Sequence, residues 1–84
     1  MSAKHQRTLE RISEKPDRDD IPWKDIEALF VARGGQISEG AGSRVRVVLG
    51  GVRAVFHRPH PKKEAHQAMI RSVRRFLTEA GVKL

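Results

Sequence analysis

Eighty-four residues, 38% hydrophobic and 32% charged, allow one small domain with a thin core and leave no room for a second. No apolar run nears the roughly 18 residues of a membrane span, no signal-like apolar segment opens the chain, and cysteine is absent, which excludes disulfide staples and thiolate chemistry and fits a reducing, cytoplasmic setting. The net charge is +7, and residues 43–63 alone carry six basic side chains and no acidic one, a block suited to a phosphate backbone or an acidic protein surface.

Residues 2–14 are rich in helix formers but hold only Leu9 and Ile12 as large apolar residues. That predicts a short, weakly docked or frayed helix, followed by a turn at Lys15-Pro16. Residues 1–20 are therefore expected to be an extension, and residues 21–84 the domain. Pro22 suits a first helical position, Ile26, Leu29 and Phe30 recur at helical spacing, and Gly34-Gly35 ends the element. A helix over 22–33 follows. Trp23, the single Trp, is expected to pack into the core.

Gln36–Glu39 predicts a short strand and Gly40-Ala41-Gly42 a turn. Residues 44–49 (RVRVVL) and 52–58 (VRAVFHR) flank Gly50-Gly51, a two-residue loop that favours a primed hairpin turn. That turn puts Leu49 opposite Val52, Val47 opposite Ala54 and Val45 opposite Phe56, all apolar, on a core side. The other side pairs Val48 with Arg53, Arg46 with Val55 and Arg44 with His57. A slip of one residue would bury the arginines. Arg58-Pro59-His60-Pro61-Lys62-Lys63 reads as a basic loop, because two prolines cannot continue a central strand. From about Ala65 the stripe Met69, Val73, Phe76, Leu77 and Ala80 predicts a closing helix ending at Gly81. The fold class is α+β: a three-stranded antiparallel sheet with two helices covering one face, plus an additional N-terminal helix.

That order, with IPWKDIEALF at 21–30, Gly34-Gly35, Gly42-Ser43, PHPKKE at 59–64 and MIRSVRRFLTEAGV at 69–82, resembles the HicA toxin family of bacterial type II toxin–antitoxin systems. The resemblance implies a fold like the double-stranded-RNA-binding domain, α-β-β-β-α. It also implies metal-free cleavage of mRNA without a cofactor, translation inhibition, and neutralisation by a HicB-like antitoxin. The family's second strand typically opens Gly-Ser-His with a catalytic His, whereas this chain reads Gly42-Ser43-Arg44. A guanidinium cannot act as a general base.

Two readings follow for the chemistry. In one, His57, across the hairpin from Arg44 and within roughly 5.5 Å at Cβ, moves protons while Arg44 binds or stabilises the phosphate. In the other, the chain is a non-catalytic RNA-binding module. Ser43, Arg44, Arg46, Arg53, Arg58, His60, Lys62 and Lys63 are the candidate RNA contacts. His60 is also read as a plain solvent-facing residue. No spacing of His, Asp or Glu resembles a metal site, and the Gly40–Ser43 segment lacks the ending of a nucleotide-binding loop.

Overall fold

The computed structural model describes residues 3–84. Its elements are α1 (Ala3–Ser13), β1 (Ile21–Pro22), α2 (Trp23–Ala32), β2 (Gln36–Glu39), β3 (Arg44–Leu49), β4 (Val52–His57), β5 (Glu64–Ala65) and α3 (Gln67–Glu79). Strands β2, β3 and β4 form an antiparallel sheet in that order, and β1 pairs with β5 in a separate ladder.

The hairpin has the register expected from its turn, from Leu49 opposite Val52 to Arg44 opposite His57. Gly50 and Gly51 both take positive φ, 57° and 78°, which a type I′ turn requires and other residues resist. Alternation then sorts the side chains. Val45, Val47, Leu49 and Phe56 are buried and Val52 and Ala54 half-buried, while Arg44, Arg46, Val48, Arg53, Val55 and His57 are exposed. Helices α2 and α3 cover the apolar side, contributing Ile26, Leu29 and Phe30, and Ile70, Val73, Phe76 and Leu77. The α+β architecture expected from the sequence is the one observed.

The first helix departs from expectation. Leu9 and Ile12 belong to the same core cluster as the sheet residues, with Ile12 fully buried, so α1 is firmly docked rather than frayed. Two apolar residues suffice because a distant side chain finishes the helix. Arg74 of α3 donates from Nε and Nη2 to the Ile12 carbonyl at 3.1 and 2.8 Å. That satisfies one of the carbonyls a helix C-terminus leaves without a partner.

Two boundaries also differ. Pro22 precedes α2 instead of starting it, with ψ 133°, because it belongs to β1. Helix α3 begins at Gln67, after β5, and its N-cap is His66, whose Nδ1 accepts the Met69 N–H at 3.2 Å. No helix among the described residues is long and apolar enough to cross a membrane.

Candidate nucleic-acid interface

The two-residue turn decides which hairpin pairs exchange backbone hydrogen bonds: Leu49–Val52, then Val47–Ala54 and Val45–Phe56. The series continues past the strands, where the Arg58 N–H donates to the Ser43 carbonyl at 2.9 Å. The intervening pairs are the non-hydrogen-bonded ones, whose side chains approach most closely. Arg44 and His57 are such a pair, on the open face. Arg44 Nε donates to His57 Nε2 across 3.4 Å, a long contact. Guanidinium has no acceptor, so in this contact Nε2 is the accepting nitrogen.

Around that pair the open face is basic with an apolar centre. Arg46 donates to the Glu39 carbonyl at 3.1 Å, and the Arg53 side chain has no partner among the described residues. Val48 and Val55 are 37% and 56% exposed. None of the six outward positions of β3 and β4 is acidic. None is Phe, Tyr or Trp either: Trp23, Phe30, Phe56 and Phe76 pack together inside, with ring centroids 5.4–6.3 Å apart. The face therefore offers cations and hydrogen-bond donors, with the His57 imidazole as its single ring.

The remaining candidates are scattered more widely. Ser43 lies exposed in the turn before β3. Arg58 shares the alternation of Phe56 and turns toward α2, away from the open face. Its Nε meets Glu27 Oε2 at 2.9 Å, and Nη1 and Nη2 meet the two Glu39 oxygens at 2.6 and 2.8 Å. These carboxylates, Glu39 foremost and then Glu27, raise the Arg58 pKa, and Arg58 in turn holds the Glu39 carboxyl below its ordinary value. Glu27 also accepts the Trp23 Nε1–H. Arg58 is thus a buckle between α2 and the sheet, not an available phosphate ligand. His60, Lys62 and Lys63 are exposed on the following loop, with no side-chain partner among the described residues.

Sequence reasoning passed over Lys24, Glu27, Glu39 and Glu64, which join this end of the molecule. The Lys63 carbonyl accepts the Trp23 N–H at 2.9 Å and β5 pairs with β1, bringing the basic loop against the start of α2. Only the shared parity of Glu39 and Arg58 at the sheet end hinted at any of this.

A second basic group has a different use. Asp17 accepts from Arg74 Nη2 at 2.8 Å and Arg71 Nη1 at 2.9 Å, and Lys15 lies 3.8 Å away. Hydrogen bonds from Arg74, then Arg71, hold the Asp17 carboxyl below its ordinary pKa. Among the described residues no group of three or more His, Cys, Asp or Glu side chains is placed to hold a metal ion.

Among known proteins, no curated protein and no solved structure matches the chain significantly. The model of one family, described as HicA toxin of bacterial toxin–antitoxin, matches residues 23–82, everything from the start of α2 to just past α3. A match over that much of the chain shows the family: the protein belongs to the HicA toxins of bacterial toxin–antitoxin systems, a class defined by pairing with an antitoxin.

Proposed function

We propose that the protein binds RNA on the open face of its sheet and cleaves it at the Arg44–His57 pair, without a metal, arresting translation as the toxin of a HicA–HicB-type pair. The observation that carries this reading is the register that sets the exposed His57 against Arg44, beside Arg46 and Arg53, on a face without carboxylates. Phosphates draw such a face to RNA with little regard to sequence.

In the cleavage step Arg44 swings from His57 Nε2 to a non-bridging phosphate oxygen, freeing the Nε2 lone pair. Nε2 takes the 2′-OH proton and the 2′-oxygen bonds to phosphorus. The bond to the 5′-oxygen breaks, and that oxygen takes a proton from water. A 2′,3′-cyclic phosphate and a 5′-hydroxyl result. Arg44 and Arg46 stabilise the extra charge on the phosphorane. A HicB-like antitoxin would neutralise the toxin by laying acidic side chains over the same face.

A second reading, a binding module without nuclease activity, is favoured by one observation: the family's catalytic position is Arg44, and His57 Nε2 is already engaged by it. Synthetic RNA incubated with full-length protein and chelator separates the two. The nuclease reading predicts cyclic-phosphate ends and a loss of about 10²–10⁴-fold in His57→Ala. Tight binding without any product supports the module. Unchanged cleavage in His57→Ala removes His57 from the mechanism.

A further inference from the structure

Where the start of α2 meets the loop after β4, at the Arg58 end of the sheet, lies a groove of about 510 Å³. Pro22, Trp23 and Lys24 line it next to Lys63 and Glu64, their neighbours through the β1–β5 pairing and the Trp23 N–H to Lys63 carbonyl bond, with Pro59 completing the rim and the ion-paired Glu27 and Arg58 the floor. We infer that this groove is a one-nucleotide subsite, taking an unstacked guanine of the bound RNA against Glu64, with the phosphate of that nucleotide on Lys24 and Lys63. The inference rests on the RNA-handling reading above and adds to it a base preference that the open face cannot supply.

The chemistry of the lining narrows the occupant. Lys24 and Lys63 are exposed and have no ion-pair partner among the described residues, so the rim calls for an anion. Pro22 and Pro59 are half-buried rings of the lining, apolar surface that suits a flat heterocycle. Trp23 is only 5% exposed and packs against Phe30 and Phe56, a fixed part of that lining. The floor is closed to new partners, because Glu27 already accepts from Trp23 Nε1 and Arg58. Glu64 is different: its carboxylate has no partner among the described residues. A carboxylate only accepts hydrogen bonds, and two parallel donors satisfy it best. Among the four bases only guanine presents two adjacent N–H donors, N1–H and the 2-amino group, on one edge. Adenine and cytosine offer one amino group there and uracil a single ring N–H. Bases are read in this way on RNA segments that are not paired.

Position supports the assignment. The Arg58 N–H to Ser43 carbonyl bond ties the groove's floor to the residue before Arg44. A strand whose phosphate lies on Arg44 can therefore turn a neighbouring nucleotide around the end of the sheet.

The test uses the full chain and short 2′-fluoro RNAs that cannot be cleaved: a uridine-only oligonucleotide, and versions with one central G, A or C. Anisotropy should show the G version binding roughly tenfold tighter than the uridine-only one. Glu64→Gln should erase that difference and leave uridine-only binding within about twofold, since the phosphate contacts persist. The Lys24→Ala/Lys63→Ala double variant should weaken all four. Thermal unfolding of each variant checks that β5 and α2 remain formed. Equal affinity of the wild type for all four RNAs, or a G preference that survives Glu64→Gln, overturns the subsite. If binding also collapses in the Arg44→Ala/Arg46→Ala/Arg53→Ala variant, the open face stands without the groove. If the wild type binds none of the RNAs at low salt, the RNA reading itself fails.

Discussion

Arginines of the hairpin and arginines of α3 differ in use although both lie on strongly basic segments. Arg74 is largely buried, seals the end of α1 and holds Asp17, and Arg71 holds the other Asp17 oxygen. Arg58, at the end of the hairpin, is likewise spent on Glu27 and Glu39. Arg44, Arg46 and Arg53 face solvent, and not one of them meets a carboxylate. Charge counted along the chain treats the two sets alike. Partners in space separate a cation that closes the fold from one that can still bind, and only the second kind defines a site.

The largest effect should come from removing the free set. Arg44→Ala/Arg46→Ala/Arg53→Ala is expected to lower RNA affinity by more than roughly 100-fold near physiological salt. The slope of log affinity against log salt should shrink by about 2, three lost contacts at about 0.7 each on single strands. Its melting temperature should hardly move, because exposed cations without a carboxylate partner contribute little to folding. A large loss of stability with intact binding would reverse the comparison.

Removing the committed set should do the opposite. Arg74→Ala leaves the Ile12 carbonyl without its donors and is expected to cost about 1.5–3 kcal/mol of folding stability, read by denaturant unfolding, while RNA affinity stays put. Asp17 makes the same contact sensitive to pH. Its folded-state pKa lies below the unfolded value, so its contribution is present above about pH 3.9 and fades as pH falls through the folded-state value. Asp17→Asn should therefore flatten the acid limb of the stability curve; an unchanged limb would take Asp17 out of the fold's support. The smallest effect belongs to Glu39→Gln, which frees one side of Arg58. RNA binding should tighten by about two- to threefold, with stability within about 1 kcal/mol of the wild type.

How legible each part was depends on how local its cause is. The hairpin could be read because Gly50-Gly51 and period-two alternation fix register together, so Arg44 opposite His57 followed from counting. Trp23 could be read as core because it follows Pro22 at a helix start, three residues before Ile26 of the apolar stripe. The docking of α1 could not, since its cap comes from Arg74, whose contact to Ile12 spans 62 residues. The β1–β5 ladder joins two residues to two others far along the chain, Ile21 to Ala65 and Pro22 to Glu64, and leaves no periodic trace. Arg58 looked like its neighbours in the basic block. Its role depends on Glu27 and Glu39, which lie 31 and 19 residues away and carry no local signal.

An amide-resolved NMR titration of the full chain with uncleavable 2′-fluoro RNA tests most directly whether the hairpin's open side meets the nucleic acid. The largest shifts should fall on Arg44, Arg46, Arg53, Val55 and His57, with Arg71 and Arg74 unmoved. Shifts confined to α1 and α3, with β3 and β4 silent, would contradict it.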